Sequence, residues 1–210
     1  MKGKIDIYLR RFKRYIKYGV QYYFYEKPKG LDFTMRDMHL TEESKGVLHG
    51  YSKTNEKHLA EIFRYLQIQE RDSLLDVGCG KGVVLKEAAK QPFCKITGID
   101  IDSGLIETAN RNFEILHLSD RIRCVETDAL RFPEYGEYNT FFFFNPFGEE
   151  VMRAVIDKII KEHDGKERIR IIYHNPVYRQ AIEDTGKFVS VKEMHDSMKD
   201  YRTVIYVSNW

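Results

Sequence analysis

Residues 74–82 read "LLDVGCGKG". Apolar residues around a single aspartate suit a short buried strand, "SLLDV" (73–77). Glycine then recurs at Gly78, Gly80 and Gly82, which predicts a loop that takes positive φ and lets a ligand approach the backbone. "GVVLKEAAKQ" follows in helical pattern and stops at Pro92. Strand, glycine loop and helix form the opening unit of a nucleotide-binding α/β sheet.

The alternation continues downstream. "CKITGID" (94–100), "IRCVETD" (122–128), "YNTFFFFN" (138–145) and "RIRIIYHN" (168–175) read as strands. "SGLIETANRNFEILHL", capped by Asp102 or Ser103, and "EEVMRAVIDKIIKEH", ending at Asp164-Gly165, read as the helices between them. "KFVSVKEM" and "YRTVIYVS" predict a closing antiparallel hairpin. Five strands alternating with helices imply a doubly wound, Rossmann-like parallel sheet with right-handed crossovers. A strand of four phenylalanines fits such a sheet, because both of its faces are covered. Ligands in these sheets sit beyond the carboxyl ends of the strands. That points to Asp76–Gly82, Asp100, Asp128, Asn145–Phe147 and His174–Asn175.

At 210 residues and 42 % hydrophobic, the chain can bury one sizeable core. No apolar run reaches the roughly 18 residues of a membrane span, and the charged N-terminus lacks the apolar stretch of a secretory signal. Cys79, Cys94 and Cys124 are odd in number without CxxC spacing, which predicts reduced thiols in a cytoplasmic protein, with neither disulfide framework nor metal site. Cys79 and Cys94 read as packing residues.

Two cofactors use such glycine loops. The dinucleotide fingerprint needs a third glycine where this chain has Val83, and an aspartate two residues before Gly78 would repel a pyrophosphate. Asp76 suits a cationic ligand instead. Asp100 ends the second strand, where a carboxylate can accept from both ribose hydroxyls. Asp128 ends the third, where it can accept from an adenine amine.

With these residues in place, the sequence resembles the class I S-adenosylmethionine-dependent methyltransferases, over about residues 50–210, through "LLDVGCGKG", "ITGIDID", "CVETDAL" and "FFFFNPF". The resemblance implies that family's seven-stranded sheet, with the antiparallel seventh strand between the fifth and sixth. It implies S-adenosylmethionine as cofactor, with Asp76, Gly78, Cys79, Gly80 and Gly82 at its amino-acid end. Asp100 then belongs to the ribose, Asp128 and Ala129 to the adenine, Ile101 is a further cofactor contact, and Asn145 belongs to the neighbourhood of the sulfonium. "NPFGEEV" is further similar to small bacterial methyltransferases of unassigned substrate.

The turn Asn145-Pro146-Phe147 resembles the [DNS]-P-P-[FYW] motif of enzymes that methylate amino nitrogens of adenine, cytosine or glutamine, but lacks the second proline. Asn145 is the candidate to orient an acceptor N–H, Pro146 to stiffen the turn and Phe147 to flank a flat or cationic acceptor. A helix-capping role for Asn145 is the alternative. His174 and Asn175 are candidates for a base or a substrate contact, but His174 is expected to be a solvated strand-end histidine, and "YSKTN" (51–55) a helix start near the cofactor's entrance, capped by Thr54 or Asn55.

Residues 1–30 carry nine lysines and arginines against Asp6 and Glu26, and six tyrosines. Ile5, Leu9, Phe12, Ile16, Val20 and Tyr23 fall at helical spacing. Three roles compete: a helix on an anionic membrane, a nucleic-acid contact through phosphates and stacking, or a lid whose stripe packs on the catalytic domain. The lid is preferred, giving an extension over residues 1–45 and a cofactor-binding domain over 46–210. The acceptor, whether small molecule, protein or nucleic acid, is left open. A non-catalytic cofactor-binding module and a dinucleotide-linked oxidoreductase are the competing functions; Val83 and Asp76 weigh against the latter.

Overall fold

The computed structural model describes residues 16–35, 52–163, 165–197 and 200–210. Strand β1 (Ser73–Val77) is buried throughout and lies between β2 (Lys95–Asp100) and β4 (Thr140–Phe143), both parallel to it. β3 (Ile122–Glu126) pairs with β2, and β5 (Arg170–His174) pairs with β4. The hairpin of β6 (Phe188–Asp196) and β7 (Tyr201–Ser208) adds β7 antiparallel to β5. The order β3-β2-β1-β4-β5-β7-β6 is the expected seven-stranded arrangement. A bulge interrupts the β6–β7 pairing between Ser190 and Lys192.

The phenylalanine strand shows why the sheet needs two covered faces. Phe142 packs with Leu74 and Ile172 in one core. Phe141 and Phe143 point the other way, into a core with Ile156 and Ile159 of α4 (Glu149–His163). All three phenylalanines are fully buried, as a strand side-chain period of two demands when both faces are apolar. β4 is shorter than expected because Asn145 takes φ 42° and turns the chain out of the sheet. β3 ends at Glu126, where the Thr127 amide donates to Asp100 O at 2.9 Å and redirects the backbone.

Caps set the helix starts. Asn55 caps α1 (Glu56–Leu66), accepting from Lys57 N, while its amide nitrogen donates to Asp196. Asp102 caps α3 (Ser103–Ile115), accepting from Leu105 N. Two further helices are α2 (Val83–Ala88), directly after the glycine loop, and the short α5 (Gln180–Glu183). Among the described residues, no helix is long and apolar enough to cross a membrane.

The front end is described only in part. Ile5, Leu9 and Phe12 lie outside the described residues, as does Tyr51. Of the predicted stripe, Ile16, Val20 and Tyr23 are 52 %, 45 % and 56 % exposed, so this part does not pack as a lid. Residues 16–20 are helical and continue as a π-helical stretch, Gln21–Glu26, then a 3-10 turn, Lys27–Lys29. Docking falls instead to Glu26 and to the residues after the 3-10 turn. Leu31 and Phe33 join the core containing Leu59 and Phe113. The buried Glu26 carboxylate accepts from Phe33 N at 2.9 Å, from Thr34 Oγ1 and from Lys53 Nζ at 3.3 Å. Glu26 is thus sequestered from the solvent-facing cations around it.

Two further expectations are corrected. His174 is fully buried rather than solvated, because β7 and α1 close over the end of β5. Its Nδ1 bonds to Thr203 Oγ1 at 2.8 Å, and its ring meets Phe144 edge-on at 4.5 Å. Cys94 is exposed, one residue before β2, and is not a packing residue.

Candidate active site at the carboxyl ends of the strands

Three strand ends and the glycine loop converge. Asp76, beside Gly98 and Phe142 in the sheet, is 2 % exposed. Its Oδ2 has no hydrogen-bond partner among the described residues. Burial, and then the nearby charge of Asp100, push its carboxyl well above the usual value. A lone buried carboxylate oxygen is costly unless something positive or donating meets it.

Gly78, Gly80 and Gly82 all adopt positive φ, at 82°, 53° and 85°. The amides of Gly78 and Cys79 both donate to Ile99 O, at 2.9 and 3.0 Å. Gly80 N donates to Asp100 Oδ2 at 2.8 Å, and Asp102 N to Asp100 Oδ1 at 3.1 Å. Burial raises the Asp100 carboxyl, partly offset by these two amides. The Cys79 side chain crosses the loop's underside: a Cβ built on Gly98 would lie 2.7 Å from its Sγ. Its thiol is pushed up by the Cys124 contact and by burial, so it remains protonated.

Beyond β2 and β3 the surface turns apolar. Ile101 and Leu130 are 51 % and 42 % exposed. Asp128 Oδ1 accepts from Leu130 N at 2.9 Å, and Ala129 O accepts from the Tyr135 hydroxyl at 2.9 Å, which fixes this turn.

The turn after β4 rests on the glycine loop. Pro146 lies so close to Gly78 that an added Cβ would sit 2.6 Å from the proline Cβ. Asn145, 8 % exposed, is not a helix cap; its Oδ1 accepts from the Tyr173 hydroxyl at 3.3 Å. Burial pushes Tyr173 up to about 12, which keeps it a donor. The Phe147 ring packs inward, edge-on to Phe143 at 6.4 Å, bracing the turn from below.

Sequence reasoning missed Tyr173, which holds Asn145, and Lys81, whose ammonium is fully buried against Asp32 at 2.7 Å. A cation set between Gly80 and Gly82 was the available signal for Lys81. Nothing in the local pattern joins it to Asp32, 49 residues earlier.

The sheet order, the glycine loop and the three strand-end carboxylates form the arrangement of the class I S-adenosylmethionine-dependent methyltransferase fold, and the chain carries a methyltransferase domain in it. Residues 74–163 match the model of a family described as a methyltransferase domain. An rRNA adenine N-6-methyltransferase of Streptococcus sanguinis is 26 % identical over 130 residues, 62 % of this chain and 51 % of that protein. The chain thus spans about half the length of such relatives. Among solved structures, an RNA methyltransferase from Salinibacter ruber in complex with S-adenosyl-L-homocysteine superposes with TM-score 0.60 at 14 % identity, over 75 % of this chain and 94 % of that one. A magnesium protoporphyrin IX methyltransferase from Synechocystis gives 0.58 at 16 % identity, over 76 % and 87 %. These two likenesses concern the fold, which serves very different acceptors.

The residues present fit the cofactor of the class. The orphaned Asp76 oxygen offers a site for an ammonium, Asp100 keeps lone pairs for hydroxyl donors, and Ile101 with Leu130 offers apolar surface to a flat base.

Proposed function

We propose that this chain transfers a methyl group from S-adenosylmethionine to an exocyclic amino nitrogen, with an adenine base of RNA as the acceptor. The observation that carries this reading is the seating of the Asn145-Pro146 turn on Gly78. It joins a buried, pre-oriented amide to the loop that would hold the cofactor. When bound, S-adenosylmethionine supplies an electrophilic methyl carbon. Asp76 would hold its amino-acid end, and Asp100 and Asp128 would hold its ribose and base. Asn145 Oδ1, with one lone pair taken by Tyr173, accepts an N–H of the acceptor amine and aligns its nitrogen. Such alignment is most of what methyl transfer asks of a protein. The amino-nitrogen class is supported by the relative that methylates rRNA adenine and by a release factor glutamine methyltransferase of Chlorobaculum tepidum, 36 % identical over 66 residues. That match covers 31 % of this chain and 22 % of that protein.

Residues 16–30 are the proposed RNA contact. Tyr23, Phe24 and Tyr25 are 56 %, 73 % and 65 % exposed, beside exposed Lys27 and Lys29. Exposed aromatic faces among cations suit stacked bases and phosphates.

The test is methyl transfer with labelled cofactor to RNA, DNA and protein fractions, followed by nucleoside analysis of the product. N6-methyladenosine in RNA supports the proposal. Label confined to protein, or to oxygen acceptors, refutes it.

A further inference from the structure

Lys81 is 0 % exposed in a loop whose neighbours are glycines. A buried ammonium is costly unless paired, and an ion pair of this kind stabilises little compared with apolar residues in its place. Its partner is Asp32, through Oδ2 at 2.7 Å. Asp32 is in turn clamped by Asn112, also 0 % exposed. Asn112 Oδ1 accepts from Asp32 N at 2.9 Å, and its Nδ2 donates to Asp32 O at 2.9 Å and to Lys81 O at 3.3 Å. One asparagine on α3 therefore grips the backbone of both partners.

Apolar contacts run along the same seam. A Cβ on Gly82 would lie 2.3 Å from the Phe113 ring, one residue beyond Asn112. Phe113 packs on Phe33 at 6.4 Å, and Lys86 of α2 lies over the Phe33 ring at 4.7 Å. Residues 26–34 thus hold one side of the Gly80–Gly82 turn. The other side is held by the Gly80 amide on Asp100.

We propose that Asp32, Lys81 and Asn112 form a latch through which residues 26–34 keep the glycine loop in its cofactor-binding conformation. Lys81 is then a positioning residue that pairs with Asp32. The inference rests on the reading of the loop as the S-adenosylmethionine site and adds to it a second element that sets the affinity. Two elements that share one short turn are coupled, and such coupling is reciprocal: what loosens the latch weakens the ligand, and the ligand tightens the latch.

The experiment uses the full chain and S-adenosylhomocysteine as probe. Calorimetric titration of Asp32→Asn is expected to show affinity reduced about 5- to 150-fold. Hydrogen exchange on the unaltered protein, which needs no variant to fold, is expected to slow at the Asp32 and Phe33 amides when the probe is added. Asp32→Asn binding within about twofold of wild type would show a merely structural pair and overturn the proposal, whatever it does to the melting temperature. Exchange at Asp32 and Phe33 unchanged by bound probe would overturn it equally. Failure of the unaltered chain to bind the probe at all would remove the cofactor reading itself.

Discussion

Gly78 and Pro146 are in contact, backbone against ring, with 2.6 Å between the proline Cβ and the place a Gly78 Cβ would occupy. The glycine also sits at φ 82°. Gly78→Ala therefore meets two penalties: about 1–2 kcal/mol for a left-handed alanine and about 1–3 kcal/mol for pushing Pro146 aside. We expect unfolding free energy to fall by about 2–5 kcal/mol in urea titration, with loss of S-adenosylhomocysteine binding. Wild-type affinity in the alanine variant would mean that the two turns move independently.

Tyr173→Phe removes the donor to Asn145 Oδ1, and with it the long 3.4 Å acceptor of the Tyr178 amide, while keeping the ring. One neutral hydrogen bond is worth about 1 kcal/mol, or roughly fivefold. Turnover should drop by about that factor, with S-adenosylhomocysteine affinity within about twofold of wild type. Asn145→Ala should cost more turnover than Tyr173→Phe at similarly preserved affinity. An equal loss of affinity in either variant would place Asn145 on the cofactor rather than the acceptor.

Asp76 gives a pH dependence of definite sign. Burial and the Asp100 charge raise its folded pKa above 3.8, so the unliganded protein holds a proton there that the unfolded chain has released. Stability of the unliganded protein thus declines as pH rises from 3.8 towards the folded pKa. A cationic ligand favours the carboxylate, so binding releases that proton and affinity climbs with pH over the same window. Titrations in two buffers of different ionisation enthalpy should reveal proton release with S-adenosylhomocysteine, absent in Asp76→Asn. Identical proton release in both proteins would take Asp76 out of the binding event.

Thr203 Oγ1 serves two buried imidazoles, His58 Nε2 at 2.7 Å and His174 Nδ1 at 2.8 Å. Thr203→Val withdraws a partner from each, and each buried group left short costs about 1–3 kcal/mol. Burial holds the His58 pKa below 6.5. The unfolded ring therefore takes up a proton that the folded one refuses, and stability is lost as pH falls through 6.5. Urea titrations at about pH 7.5 and about pH 5.5 would read both effects. A valine variant as stable as wild type would show that the hydroxyl is dispensable.

Much of this was legible in advance because the relevant signals are local. "SLLDV" matches β1 residue for residue, the Asp102 cap lies where α3 begins, and the phenylalanine run reads as a buried strand, which holds for Phe141 to Phe143. His174 was misjudged because its environment is made by Thr203 and His58, distant in sequence. Asn145 was ambiguous for the same reason: what decides its orientation is Tyr173, on the neighbouring strand. The stripe through Ile16, Val20 and Tyr23 has good helical period, yet period says only that residues share a face, not that anything covers it.

For RNA binding, removing residues 1–30 is a poor test, since it would strip Glu26 from the buried Lys53. Replacing Tyr23, Phe24 and Tyr25 together by serine leaves that pair intact. Stacking contributes about 1–3 kcal/mol per base, so the triple variant should bind RNA at least about tenfold more weakly by filter binding. Contacts to about six or more phosphates should also cost the wild type about 10³–10⁵ in affinity between roughly 50 and 200 mM salt. Salt-insensitive binding, or binding unaffected by the serines, would move the acceptor elsewhere on the surface.

The bulge at Ser190–Lys192 bears on how the molecule behaves in company. β6 closes one margin of the sheet with Val189 and Val191 exposed at 53 % and 46 %, the profile of a strand that recruits another. The bulge leaves Val191 without a counterpart on β7, and charged Lys192 and Glu193 come directly after it, with His195 beyond. A second chain arriving at this margin would find its hydrogen-bond rhythm broken and charged side chains to desolvate. Residue 191 is thus an extra tooth in a zipper, and it stops the sheet from growing past its seventh strand.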